Sequence, residues 1–224
     1  MKDKIDMTIE TYNNVVKEYV AYYDSKDMQG VQFQKEIDFV VSELKNSASI
    51  LDVGTGIGSY PQFLTEKIDK NFKLVGIDAS ENMIEVAKKN ATKAEFKVMD
   101  IRDLIFNEES FDAILCLALV HHIDDNTCLS ALNKFDKILN TNGLIVINTH
   151  ELRPDDIKES IEVEPLNPKY STYFNRYTKD FFIDYFNKNN YEIVKFFDNP
   201  MFNSETIGEK FCTVNQFSII ARKK

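Results

Sequence analysis

The chain has few cysteines, few glycines and no long apolar stretch, and each shortage closes off a class of protein. Its 224 residues hold only three cysteines, Cys116, Cys128 and Cys212. An odd count without close pairing indicates neither a disulfide framework nor a zinc knuckle. The longest apolar run, Ala113 to Val120, is eight residues, against the roughly 20 needed to cross a bilayer. Met1-Lys2-Asp3-Lys4-Ile5-Asp6 alternates charges where a secretory signal would turn apolar, so a cytoplasmic, reducing compartment without a membrane partner is expected. Positive charge is in deficit: 27 Lys and Arg stand against 36 Asp and Glu, a net charge of -9 with no run of five like charges. That balance repels a phosphate backbone and argues against a nucleic-acid partner. The remainder, 43% hydrophobic and 28% charged, is ordinary globular composition at a length that fits one domain.

The first 45 residues read as helical. Apolar residues recur on one face at Val15, Val16, Tyr19, Val20 and Tyr23, and again at Phe33, Ile37, Val40, Val41 and Leu44. Asp24-Ser25-Lys26-Asp27 with Gly30 marks the break between them. From residue 48 short apolar runs alternate with amphipathic stretches. Ala48 to Val53, Phe72 to Ile77, Glu95 to Met99, Ala113 to Leu119 and Leu144 to Asn148 read as strands buried on both faces. Ser59 to Ile68, Glu81 to Lys89 and Asn126 to Leu139 carry helical spacing, with Ser80 and Asp125 as N-caps and Asn142-Gly143 as a turn. Three of the five prolines, Pro154, Pro165 and Pro168, fall in residues 151 to 178, so an irregular insertion is expected there. Thr178 to Asn189 then reads as a helix, and Tyr191 to Phe197 and Phe211 to Ala221 as strands. With no helix between them, these two should pair antiparallel at the sheet edge. The expected fold class is α/β: a Rossmann-like, seven-stranded, mostly parallel sheet with an antiparallel last strand, a helical N-terminal arm and an insertion after strand five.

Three of only seven glycines crowd into Asp52-Val53-Gly54-Thr55-Gly56-Ile57-Gly58. Between a buried strand and a helix, such a loop lets backbone approach a ligand where any Cβ would clash. A dinucleotide fingerprint places its third glycine or alanine five residues after the first, but here that position is Ser59. Acids stand beside the turn at Asp52 and at the tips of the next two strands, Asp78 and Asp100. A carboxylate at the second tip can accept both hydroxyls of a ribose, and one at the third can accept from an exocyclic amine.

On these residues the chain resembles the small-molecule branch of the class I S-adenosylmethionine-dependent methyltransferases. Asp52 to Gly58 is similar to motif I of that family, Asp78-Ala79-Ser80-Glu81-Asn82-Met83 to its ribose motif, and Asp100-Ile101-Arg102-Asp103 to its adenine motif. Phe111 to Leu117 followed by His121-His122 resembles motif IV. The resemblance implies one domain over 1–224: a helical arm at 1–45, a cofactor-binding core at 48–150, a substrate lid at 151–178, and a C-terminal helix with edge strands at 179–224. It implies S-adenosyl-L-methionine as cofactor, with Asp52 among the cofactor-binding residues, Gly54 and Gly56 lining the methionine moiety, and Asp78 on the ribose. Asp100 and Ile101 would hold adenine, Ala79 and Met83 would pack on its face, and a carbonyl near Leu117 would receive the ammonium. Tyr12 and Tyr19 resemble tyrosines that close over the cofactor.

Methyl transfer from a sulfonium needs an aligned nucleophile, exclusion of water and, for a hydroxyl or ammonium acceptor, removal of a proton; it needs no metal. The three histidines all follow strands four and five, at the carboxyl edge where open α/β sheets bind ligands. His122, then His121, then His150 are the candidate general bases; capping or holding a loop is the alternative role for each. Seven of the ten tyrosines lie in the arm (Tyr12, Tyr19, Tyr22, Tyr23) or the insertion (Tyr170, Tyr173, Tyr177), where a lid would be. Arg176 is either an anchor for an acidic group of the acceptor or lid packing. The leading function is methyl transfer to a small molecule. An NAD-dependent oxidoreductase would bind a nicotinamide cofactor instead, and a non-catalytic cofactor-binding protein would show no turnover.

Overall fold

A computed structural model describes residues 3–24, 33–199 and 215–224. The break expected between the arm helices lies, from residue 25 on, outside these residues, as do Cys212 and the first part of the last expected strand.

The arm is three helices, α1 (Lys4–Asn14), α2 (Val16–Asp24) and α3 (Gln34–Glu43), the first two jointed at Val15. The alternating core follows: β1 (Ser49–Val53), α4 (Ser59–Glu66), β2 (Lys73–Asp78), α5 (Glu81–Asn90), β3 (Glu95–Val98), β4 (Phe111–Cys116), α6 (Asp125–Ile138) and β5 (Leu139–His150). After β5 come β6 (Glu159–Val163), β7 (Ser171–Asn175), α7 (Lys179–Lys188), β8 (Tyr191–Asn199) and β9 (Gln216–Lys223). Seven strands form one sheet in the order β3-β2-β1-β4-β5-β9-β8. β1 to β5 pair in parallel, whereas β9 runs antiparallel to both β5 and β8, as the sequence pattern indicated.

The strands read as continuous apolar runs because both sheet faces are covered. One face of β4 and β5 presents Ile114, Ile145 and Ile147 to α6 and α7; the other presents Ala113, Leu115, Leu144 and Val146 to α3. Helix starts follow their capping residues. Ser80 Oγ accepts from Met83 N at 3.2 Å to begin α5, and Thr178 Oγ1 accepts from Phe181 N at 3.3 Å to begin α7. The cap of α6 is Asp124, which accepts from Thr127 N at 2.9 Å, rather than Asp125. The Asp125 side chain instead accepts from Asn175 Nδ2 at 2.9 Å and pairs with Lys158, a long-range use that local sequence cannot reveal. Asn142-Gly143 is a bulge inside β5 rather than a turn before it, with Asn142 at φ 66° and the register shifting between Phe111 and Ala113.

The insertion is more regular than expected. β6 and β7 form an antiparallel hairpin from Glu159↔Asn175 to Val163↔Ser171, and Pro165 and Pro168 are confined to its connection. Helix α1 lies between this hairpin and the core. Thr8 Oγ1 accepts from Tyr173 N at 2.9 Å, and Thr11 Oγ1 donates to the Ser171 carbonyl at 2.7 Å. On the other side, Asn13 Oδ1 accepts from Ser80 Oγ and Asn82 N, both at 3.0 Å.

Candidate active site

The glycine loop leaves the end of β1 with Gly54, Gly56 and Gly58 at φ 74°, 53° and 79°, values that carry a steric cost for residues with a Cβ. Gly54 N and Thr55 N donate to the Ile77 carbonyl at 2.8 and 2.9 Å, stitching the loop to β2. A Cβ added at Gly56 would meet nothing within 4 Å, so the loop opens there onto free space. At Gly58 the same Cβ would lie 3.0 Å from that of Ala87, so this glycine serves the packing of α4 on α5.

Asp78 binds the loop and keeps capacity to spare. Its Oδ2 accepts from Gly56 N at 2.9 Å and its Oδ1 from Ser80 N at 2.8 Å, leaving a lone pair on each oxygen for a diol. Burial raises its pKa, opposed by those two backbone donors. Asp52 is buried behind the loop, where its Oδ2 accepts from Thr55 Oγ1 at 2.6 Å and burial pushes its carboxyl up to about 7. Asp100 is clasped by Arg102: Oδ1 accepts from Arg102 N at 2.8 Å, and the guanidinium Nη2 reaches Oδ2 at 2.6 Å. The same Nη2 donates to Asp6 Oδ1 on α1 at 2.6 Å, so one arginine joins the tip of β3 to the arm.

A cavity of about 190 Å³ lies over this loop. Met99, Asp100 and Ile101 line one end, and Gly54, Gly56, Asp78, Ala79 and Met83 the floor. Ile5, Ile9, Tyr12 and Tyr19 form the roof, and Leu119, His121 and His122 the far end. Eleven expected site residues therefore share its wall: Tyr12, Tyr19, Gly54, Gly56, Asp78, Ala79, Met83, Asp100, Ile101, His121 and His122. Asp52, Leu117 and His150 do not. The Leu117 side chain packs in the core with Ala113 and Leu115, and the lining there comes from Ala118, at φ 54°, and Leu119. His150 stands behind His121, ring on ring at 3.9 Å and 10°. The sequence placed Tyr12 and Tyr19 over the cofactor but gave no role to Ile5 and Ile9 beside them in the roof, although both share the helical spacing of Tyr12, and it gave Arg102 no role of its own.

The histidines differ in their partners. His122 Nδ1 lies 2.9 Å from the Tyr173 carbonyl. A carbonyl can only accept, so Nδ1 carries the proton and the Nε2 lone pair accepts from Tyr12 Oη at 3.0 Å. Burial lowers the His122 pKa to about 4, keeping the ring neutral. His121, flanked by His150 and His122, is held well below the ordinary histidine range by burial first and its neighbours second, and its buried Nδ1 has no partner among the described residues. Arg176 is spent on the hairpin: it donates to the Ile157 carbonyl at 2.9 Å, to Ser160 Oγ at 3.2 Å and to Glu162 Oε1 at 2.9 Å. It therefore packs the insertion together, the second of its two expected roles.

The loop, the diol-ready carboxylate and the apolar walls beside Asp100 fit a nucleoside joined to an amino-acid tail, the shape of S-adenosylmethionine. Comparison with known proteins agrees. Residues 50–143 match the family model described as a methyltransferase domain. Phosphoethanolamine N-methyltransferase 1 of Arabidopsis thaliana is 35% identical over 111 residues, covering 48% of this chain and 22% of that protein. The chain covers between 22% and 53% of the length of the first curated relatives it matches. Magnesium protoporphyrin IX methyltransferase from Synechocystis PCC 6803, solved with bound S-adenosylmethionine, superposes with a TM-score of 0.71 at 14% identity, covering 100% of this chain and 99% of that one. The cyclase SpnF superposes equally well, with a TM-score of 0.71 at 14% identity over 96% of this chain and 94% of its own. Residues 50–143 thus match a methyltransferase domain, and the chain has the fold of the S-adenosylmethionine-dependent methyltransferases on which it superposes.

Proposed function

We propose that the protein transfers a methyl group from S-adenosylmethionine to a small-molecule acceptor in the cytoplasm, and that Tyr12 and His122 together take up the acceptor's proton. When bound, the cofactor supplies an electrophilic methyl on a sulfonium. Asp78 would hold its ribose hydroxyls, Ala79, Met83 and Ile101 its adenine, and the Gly54–Gly56 backbone its methionine end. Asp100 reaches adenine once Arg102 yields one of its carboxylate oxygens. The lid formed by α1 and the hairpin would keep water from the reacting atoms.

The observation that carries the proton step is the 3.0 Å bond between Tyr12 Oη and His122 Nε2. Because Nε2 accepts from Tyr12, the group that meets the acceptor is the tyrosine oxygen, which has lone pairs free. As the acceptor loses its proton to Tyr12 Oη, the tyrosine proton passes to Nε2, and the Tyr173 carbonyl steadies the imidazolium through Nδ1. Neither residue has to be ionised beforehand, which suits a Tyr12 hydroxyl held well above its usual range by burial. His121 lines the same end as an acceptor contact, and His150 supports it from behind.

The test is transfer of label from methyl-labelled cofactor to a metabolite extract. A labelled small molecule should form, and Tyr12→Phe and His122→Ala should each slow its formation roughly 100-fold. Near-normal turnover in both variants would leave alignment alone as the mechanism. A product formed without loss of the cofactor's methyl would favour a reaction such as that of the cyclase, whose fold is the same.

A further inference from the structure

Strand β7 pairs with β6 along one edge only, in the register Ile161↔Tyr173. Tyr173 turns its N–H and its C=O the other way, towards α1 and the loop after β4, as both groups of one strand residue point to the same side. A strand edge buried in this way must find its partners elsewhere. Side chains supply them here. Thr11 Oγ1 donates to the Ser171 carbonyl at 2.7 Å, and Thr8 Oγ1 accepts from Tyr173 N at 2.9 Å. His122 Nδ1 donates to the Tyr173 carbonyl at 2.9 Å. Further along, backbone takes over, with Tyr177 N donating to the His150 carbonyl at 3.0 Å.

Two of these bonds meet on one residue, so Thr8 and His122 are joined through the backbone of Tyr173. Thr8 is 4% exposed and donates its own hydroxyl proton to the Lys4 carbonyl at 3.1 Å, which leaves its oxygen as the acceptor for Tyr173 N. Thr8 and Tyr12 stand one turn apart on α1 and share a face. The helix therefore grips His122 at both ring nitrogens: Tyr12 Oη bonds Nε2 directly, and Thr8 holds the strand that bonds Nδ1. The second grip has a chemical consequence. A neutral imidazole has one N–H and one lone pair, and only the form protonated at Nδ1 leaves Nε2 open to the Tyr12 proton. Without the Thr8 oxygen, Tyr173 N is a buried donor with no partner, and the strand must shift to find one. Its carbonyl then leaves His122, and the ring proton is free to move to Nε2, where it blocks the relay.

We propose that Thr8 is a positioning residue for His122: by holding Tyr173 N it keeps the Tyr173 carbonyl on Nδ1, and with it the tautomer that can receive the Tyr12 proton. This rests on the Tyr12–His122 reading above and adds to it the residue that sets the tautomer. The relay is then complete only while α1 and the hairpin are docked on each other.

The test follows the ring nitrogens of His122 by NMR of the full chain loaded with S-adenosylhomocysteine. In the parent the proton should sit on Nδ1. Thr8→Val, which keeps the shape and loses the hydroxyl, should lower the ratio of the Nδ1–H to the Nε2–H form roughly tenfold or more. Thr8→Ser should restore it. Thr11→Val removes a bond to the same strand edge at Ser171 and should leave the ratio as in the parent, which separates positioning from a general loosening of the hairpin. Label transfer to a metabolite extract should slow roughly tenfold in Thr8→Val, while affinity for S-adenosylhomocysteine stays within a factor of about three. An Nε2–H tautomer in the parent would overturn the proposal, whether or not the variants fold. So would a parent-like ratio in folded Thr8→Val, or an equal shift in Thr11→Val. A shifted tautomer with undiminished label transfer would uphold the hold of Thr8 on His122 and strike the Tyr12–His122 relay instead.

Discussion

Asp52 shows what burial does to a carboxylate beside the glycine loop. Its folded pKa of about 7 is raised from 3.8, so between those values the folded chain holds a proton that the unfolded chain has lost. Its contribution is therefore fully present below about pH 4 and is lost as pH rises through 7. The buried histidines act in the opposite sense. With folded values lowered to about 4 for His122 and about 3 for His150, their contribution is complete above about pH 6.5 and is lost as pH falls. Asp52→Asn keeps an acceptor for Thr55 and removes only the first dependence. Melting followed across pH should show the variant gaining on the parent from pH 4 to 7 and level above 7, by ~4 kcal/mol at most. A constant difference would mean that Asp52 ionises normally. At this scale, sequence was informative where partners are close in the chain. Gly54, Gly56 and Asp78 could be named because a strand-turn-helix brings them together whatever the rest does. Tyr12 and His122 could each be named, but their bond spans 110 residues and exists only because α1 lands on the hairpin.

Helix α1 is the element on which the cavity's closure depends. It offers Ile5, Ile9 and Tyr12 to the cavity, reaches Asp100 through Asp6 and Arg102, and holds β7 through Thr8 and Thr11. Deleting residues 1–24 should leave the sheet folded, weaken cofactor binding by roughly tenfold or more, and expose residues 159–175 to limited proteolysis. Unchanged affinity would reduce the arm to packing. The arm's helices were readable from apolar spacing, but the place where they dock was not. The hairpin was hidden for a different reason: its prolines signal irregularity, and β6 carries an inverted apolar pattern that alternation rules do not anticipate. The start of α6 slipped by one residue because Asp124 and Asp125 are equally good caps in isolation, and only the distant Asn175 and Lys158 decide between them.

Across the whole molecule the order β3-β2-β1-β4-β5-β9-β8 puts the ends of β1, β2, β3 and β4 along one edge, and the cavity lies on that edge. Strands buried on both faces, with helices between them, admit few other arrangements, which is why the fold class could be read from apolar runs alone. The central claim is that this edge binds S-adenosylmethionine through Asp78. Calorimetry with S-adenosylhomocysteine, on the parent protein and on Asp78→Ala checked for an intact melting transition, tests it most directly. The account predicts binding near one equivalent to the parent and a loss of roughly 30-fold or more in the variant, as expected for removing hydrogen bonds to a charged acceptor. No binding to the folded parent, or equal binding to both proteins, would contradict it.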